Sequence, residues 1–295
     1  MKKLTVRREI TASFMHTSVE IAKRRLLIFR CPFLKFTSLS FITAGLIILS
    51  ALCLFTDEPA YAQNKPLSED SLAAKKPVNH IYLTFDDGPL EGSDEVSDAV
   101  QTEKIGVTIF VVGSNVVKRQ RLKDYYHLYE HNPYIEIGNH SYSHARDAYG
   151  KFYKNAEQVL LDFLKNQMVL HLNNRLARLP GRNMWRLTGR IKNDVTSGAT
   201  SADLLFKHGY RVFGWDLEWQ HDSKTGAPIQ TVEDMVELIG KLLAEKKTVT
   251  ENHLVLLCHD EMFRKKWEET ELKELIERLR ATGEFSFHHL SEYPQ

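Results

Sequence analysis

Short apolar runs alternate with segments of helical spacing from residue 81 to residue 290, and this alternation constrains the fold more than any other feature. "IYLTF" (81–85), "VTIFVVG" (107–113), "YIEIG" (134–138), "YRVFGW" (210–215) and "HLVLLC" (253–258) are rich in β-branched and aromatic residues and read as strands, with "FSFHHL" (285–290) closing the series. The unbroken apolar character of 107–113 fits a strand buried on both faces. Between the strands, "AEQVLLDFLKNQMVLHL" (156–172) carries apolar residues at 160, 163, 164, 168 and 172 behind Asn155 as N-cap. "ADLLFKHG" (202–209) stops at Gly209, and "ELKELIERLRATG" (271–283) stops at Gly283. Thr231, with Asp234 three residues on, predicts a capping box at the start of a further helix. Strands that alternate with helices predict an α/β fold, a parallel sheet closed or nearly closed into a barrel with helices outside. In that architecture chemistry belongs just beyond the C-terminal ends of the strands.

The chain ahead of this region has a different character. Residues 1–35 hold nine Lys and Arg against Glu9 and Glu20, whereas 36–62 hold none. "FTSLSFITAGLIILSALCLF" (36–55) is apolar, and "AYAQ" follows it with Ala60 and Ala62 as a small-residue cleavage site before Gln63. A run of ~20 apolar residues also suffices to span a bilayer. Signal peptide and signal anchor agree on topology, because the basic flank stays inside. Three parts are expected: 1–62 as signal peptide or signal anchor, 63–77 as a polar linker, and 78–295 as the domain. The expected location is extracytoplasmic, whether periplasmic, secreted or membrane-anchored, and any membrane contact runs through an uncleaved N-terminal segment. After cleavage Cys258 alone remains, so no intramolecular disulfide is expected. The remaining 30 basic and 34 acidic residues give about −4, a surface without nucleic-acid-binding character.

The polar residues with catalytic chemistry fall at the predicted strand ends. Asp86 and Asp87 in "TFDDGP" follow strand 81–85, and "NHSYSH" follows 134–138. Arg178 lies beyond helix 156–172, "WDLEW" (215–219) follows 210–215, and "CHD" follows 253–258. Each has a plainer reading alone: DDGP is turn-forming, and one His pair four apart is expected by chance among 13 histidines. His259 fits the edge of a core, Arg178 a surface charge, Trp215 and Trp219 core or rim. Together they point to one site. On a helical turn His140 and His144 would converge, and a carboxylate from another strand end completes a ligand set for a divalent cation such as zinc, cobalt or nickel. Cys258 and His259 are neighbours on a strand and face opposite ways, which disfavours a Cys–His nucleophile pair. By the same alternation Asp86 and Asp87 should point apart, one toward a metal and one toward a water.

With those residues in order, the chain resembles the polysaccharide deacetylases of the NodB-homology family, carbohydrate esterase family 4, from about Ile81 to about Leu290. "TFDDGP" and "HSYSH" match two of its motifs, and "LCH" fits its closing L-x-H motif. "RLPGR" lacks the aromatic usual after the proline, and "WDLEW" departs from the spacing of D-x-x-D-W. The resemblance implies a distorted (β/α) barrel and metal-assisted removal of N-acetyl groups from a glycan. It implies Asp86 as base, Asp87, His140 and His144 as ligands, and His259 as acid. Arg178 would orient Asp86, the Gly181 N–H would stabilise an oxyanion, and Asp216 with Trp219 would support the acid and the substrate. Which of Asp216 and Glu218 partners His259 stays open at this point. Peptidoglycan, a secreted hexosamine polymer, a chitin oligomer and acetylated xylan all suit such a site. Two other readings are a metal amidohydrolase acting on another acyl or amide group and an inactive glycan-binding domain.

Overall fold

The computed structural model describes residues 79–295, so the expectations for 1–62 and 63–77 lie outside the described residues. The strands are β1 (Asn79–Asp86), β2 (Val107–Val111), β3 (Ile135–Asn139), β4 (Leu176–Ala177), β5 (Trp185–Leu187), β6 (Arg190–Lys192), β7 (Arg211–Val212), β8 (Leu217–Glu218), β9 (His253–His259) and β10 (Phe285–Phe287). The helices are α1 (Ser93–Glu103), α2 (Gly113–Lys118), α3 (Gln120–His131), α4 (Tyr149–Phe152), α5 (Ala156–Val169), α6 (Ala199–Lys207), α7 (Val232–Ala244) and α8 (Glu271–Ala281). All strands join one sheet in the order β6-β5-β7-β4-β3-β2-β1-β9-β8, with β10 paired to the start of β1. Pairing is parallel except where β5 meets β6 and β7. Among the described residues β6 and β8 are not joined, which leaves a distorted, open barrel.

Alternation along the central strands creates two cores. Ile81, Leu83 and Phe85 of β1 pack with Leu254, Leu256 and Cys258 of β9 beneath α1, α7 and α8. The intervening Tyr82 and Val255 pack with Phe110, Trp185 and Phe213 in the barrel interior. Burial of each such side chain contributes about 1.5–3 kcal/mol. A separate cluster, including Val159, Phe163, Leu179 and Leu205, seats α5 and α6. The sheet can pass close to itself at Gly138, where an added Cβ would lie 2.6 Å from the ring of Phe110.

Local signals hold at the helix starts. Asn155 Oδ1 accepts from the Gln158 N–H at 3.1 Å. Thr231 Oγ1 accepts from the Asp234 N–H while Asp234 Oδ2 accepts from the Thr231 N–H, completing the expected box. The strand expected over 210–215 is only two residues long. Beyond Val212 the carbonyls of Phe213 and Gly214 bind the side chain of Arg178 rather than a neighbouring strand.

Arg178 follows β4 and is fully buried. Its Nε donates to Phe213 O at 3.2 Å, Nη2 to Gly214 O at 2.8 Å, and Nη1 to Thr84 Oγ1 at 2.7 Å and Asp86 Oδ1 at 2.9 Å. The guanidinium also lies 4.4 Å from the centroid of the Phe110 ring. Three strand ends are thereby tied to one cation. Arg178→Met should cost about 3–5 kcal/mol, because it leaves Asp86 charged, buried and unpaired. Urea denaturation of variant and parent would measure the loss.

At the opposite end of the sheet His80 stacks on His253 at 4.5 Å, and His253 Nδ1 pairs with the Tyr82 hydroxyl at 2.8 Å. Burial, with the charges of His80, His288 and Arg190, pushes the His253 imidazole down to about 4. The unfolded chain then binds a proton that the folded chain refuses, so stability is lost as pH falls from about 6.5 toward 4. His253→Gln should reduce the drop in melting temperature between pH 7 and pH 5, read by calorimetry.

Candidate metal centre and catalytic cleft

The loop after β3 brings two histidines together by backbone strain rather than by a helical turn. His140 N donates to Val111 O at 3.1 Å, continuing the sheet, and the chain then enters left-handed conformation at Ser141 (φ 65°). Asn139 Oδ1 holds that bend by accepting from the Ser141 N–H at 3.0 Å, and Asn166 Nδ2 supports Asn139 Oδ1 at 2.9 Å. Ser141 Oγ accepts from the His144 N–H, and Asp162 Oδ2 accepts from both N and Oγ of Ser143. His144 (φ 49°), Ala145 (54°) and Arg146 (49°) are left-handed too. Positive φ in non-glycine residues is costly and persists where neighbours impose it. Its result here is a pair of imidazoles 5.3 Å apart.

Asp87 meets them from β1. Its left-handed φ of 70° cancels the alternation expected after a strand, and Asn115 Nδ2 fixes the turn by donating to Asp87 O at 2.9 Å. The two carboxylates therefore do not point apart: Asp87 Oδ1 lies 3.2 Å from His140 Nε2, and Asp86 Oδ2 lies 3.6 Å from the same nitrogen. His144 Nε2 lies 2.9 Å from Asp87 Oδ1. Burial works to raise the Asp87 carboxyl, but the hydrogen-bonding and charge of both imidazoles outweigh it and hold the group well below the usual range.

Chemistry of the donor set supports a cation at this point. His140 Nδ1 lies 2.9 Å from the carbonyl of Arg178, which can only accept, so Nδ1 carries the proton. As a metal ligand His140 would turn an Nε2 lone pair toward the side on which Asp87 Oδ1 lies. Asp87 Oδ1 is buried, with the two imidazole nitrogens as its near polar neighbours. The ligand atoms of Asp87, His140 and His144 lie within 4.8 Å of one another. Tetrahedral zinc with ~2.0–2.1 Å bonds would separate its ligands by roughly 3.3 Å, and the observed 2.9 and 3.2 Å contacts are close to that. Zinc, cobalt or nickel suits one carboxylate and two imidazoles.

Around these ligands is a cavity of about 220 Å³. Asp86, His259 and Gly181 line it as the sequence led one to expect, together with Tyr149, Trp215, Glu218 and Leu257. Asp86 faces His259 across the β1–β9 ladder, and Cys258 turns away into the core. Gly181 is left-handed (φ 61°), and a Cβ there would lie 3.2 Å from the Tyr149 ring. Tyr149 thus places an aromatic ring against Gly181 of "RLPGR". Nothing in its own "AYG" context signals that role. A larger cavity of about 690 Å³ continues from Asp87 and His144 past Asn115, Lys118, Tyr142 and Arg146.

Two expected site residues are elsewhere. Trp219 is fully buried, packs on Phe263 and donates from Nε1 to Gln230 O, so it has no face to offer a sugar. Trp215 lines the cavity instead. Asp216 does not reach His259 either: its two oxygens accept from the N–H groups of Val249 (2.8 Å) and Val255 (2.9 Å). Burial pushes its carboxyl up to about 6 despite those bonds. It fastens the start of β9.

Known proteins resemble this chain in sequence and in fold. Residues 73–194 match the family described as polysaccharide deacetylase. A peptidoglycan-N-acetylglucosamine deacetylase of Bacillus cereus is 27% identical, over 57% of this chain and 57% of its own. A chitin disaccharide deacetylase of Vibrio alginolyticus is 23% identical, over 52% and 50%. The chain thus spans about half the length of these curated relatives. Among solved structures, a CE4 esterase of Streptococcus mutans shares the fold with a TM-score of 0.55 at 19% identity, over 72% of this chain and 87% of its own. Residues 73–194 are thus similar in sequence to polysaccharide deacetylases, and the described residues share the fold of a CE4 esterase.

Proposed function

We propose that this protein is a metal-dependent deacetylase that removes N-acetyl groups from an N-acetylhexosamine glycan, such as peptidoglycan, outside the cytoplasm. The convergence of Asp87, His140 and His144 beside Asp86 and His259 in one cavity carries the reading. A divalent ion held by those three ligands supplies Lewis acidity at the acetyl carbonyl. Asp86, kept in place by Arg178, takes the proton of the attacking water. His259 gives a proton to the nitrogen as the C–N bond breaks. The N–H of Gly181 is the candidate donor to the oxyanion, a role that needs backbone rather than a side chain. Trp215 and Tyr149 border the cavity with aromatic faces suited to sugar rings. The basic flank, apolar run and "AYA" site support export.

Acetate release from N-acetylglucosamine oligomers and peptidoglycan, with and without chelator, tests the reaction. Chelator should abolish release and added zinc or cobalt should restore it. His140→Ala and Asp87→Asn should lose bound metal and activity together. Asp86→Asn should keep the metal and lose ~10²–10⁴-fold in kcat. Release only from small N-acyl amides would favour the amidohydrolase reading, and metal binding without any release would favour a glycan-binding domain. Fractionation with N-terminal sequencing tests export: the domain should be recovered outside the cytoplasm, and recovery inside it with Met1 intact would overturn the location.

A further inference from the structure

The cleft around the metal ligands is electrically lopsided. Lys118 and Arg146 border the cavity of about 690 Å³ together with Asp87, His144 and Tyr142. That volume suits a sugar unit next to the one at the ligands. Lys118 comes after β2 and Arg146 after β3, whereas Glu218 belongs to β8 and Glu261 comes after β9. In the sheet β1, with Asp86 and Asp87 at its end, stands between these two sides. Both cations are exposed. Lys118 Nζ lies 3.5 Å from Asn115 Oδ1, and Asn115 Nδ2 donates to Asp87 O, so one amide links the ammonium to the turn that carries a ligand. Lys165 Nζ lies 3.4 Å from the centroid of the Tyr142 ring and adds a third positive charge nearby. Among the described residues neither Lys118 nor Arg146 is paired with a carboxylate, although the neighbouring Arg121 is paired with Glu91. Asp87 faces the two imidazoles, Asp162 accepts from Ser143, and Glu261 is engaged by His221 and Arg264. The chain after residue 62 sums to about −4, so these cations are not the overflow of a basic surface.

We propose that Lys118 and Arg146 form a carboxylate-binding subsite, and that the preferred substrate is an acidic glycan. Its carboxylate-bearing sugar lies over β2 and β3 while the N-acetyl group to be removed sits at Asp87, His140 and His144. The assignment deepens the function proposed above and rests on it. A guanidinium offers a carboxylate two parallel N–H donors, and an ammonium adds a point charge beside it. Glu218, bordering the smaller cavity on the β8 side, repels the same carboxylate, so the glycan is read in one direction. Each contact with an exposed cation is modest by itself, and selectivity comes from the two acting on one group. A lactyl-ether carboxylate on the sugar and a carboxylate of a peptide attached to it present the same chemistry to the pair.

The test uses the metal-loaded full chain and three glycans of equal length. The first alternates N-acetylglucosamine with a lactyl-ether hexosamine whose carboxylates are free, the second has those carboxylates converted to amides, and the third carries peptides on them. The parent should favour an acidic glycan over the amide by about tenfold in kcat/KM, through KM, and high salt should erode that preference. Lys118→Met and Arg146→Met keep the apolar stems, and each should lower the ratio about 3–10-fold. Lys118→Arg should retain it. A preference for the free acid places the recognised carboxylate on the sugar, and a preference for the peptide-bearing glycan alone places it on the peptide. No preference for either acidic glycan, or one that both methionine variants leave intact, would overturn the proposal. If the parent releases acetate from no glycan, the function proposed above fails. Calorimetric binding of the same glycans to the metal-loaded chain then decides the subsite, and equal affinity for acid and amide would overturn it.

Discussion

The buried ion pair between Arg178 and Asp86 is the interaction on which the rest of the site depends. A guanidinium without solvent is tolerable only when its donors are satisfied, and here they reach the end of β1 and the exit from β7. That requirement draws three strand ends together on the concave side of an open sheet. It also orients one oxygen of Asp86 toward Arg178 while the other lies toward His140. The backbone carbonyl of Arg178 meanwhile fixes the tautomer of His140. One residue thus positions both the candidate base and a candidate ligand.

Beside that rigid tie, the ligands sit in strained backbone. Asp87, Ser141 and His144 all have positive φ, and the bends are held by hydrogen bonds from Asn115, from Asn139 backed by Asn166, and to Asp162. Asp260 does similar service beyond His259. Its Oδ2 accepts from Ser93 at 2.7 Å and from the Tyr129 hydroxyl, fastening the turn after β9 to α1 and α3. Burial raises that carboxyl to about 7, and the two hydroxyls only partly offset the effect. Polar residues absent from the recognisable motifs therefore hold those motifs in shape.

Legibility followed burial periodicity. The central strands were evident because β-branched and aromatic residues fill them on both faces, and the capping box at Thr231 because it is a purely local interaction. Helix α3 gave little sign of itself: "QRLKDYYHLYEH" buries only Tyr125, Tyr126 and Tyr129, aromatics amid charges. Hairpin β5–β6 was equally quiet, since its outer strand is exposed or half-buried and has no apolar alternation to display.

By itself the sequence determined the alternating α/β order, the placement of reactive residues after strands, and the identity of Asp86, Asp87, His140, His144 and His259 as the residues to examine. Those properties are local, written in side-chain type and spacing. Tertiary structure alone decided direction. It turned Asp87 back toward Asp86's side, sent Trp219 into the core, committed Asp216 to the backbone of β9, and set Tyr149 and His221 beside residues far away in the chain. Direction depends on which distant donor or cavity satisfies a buried polar group, and a linear pattern does not contain that information.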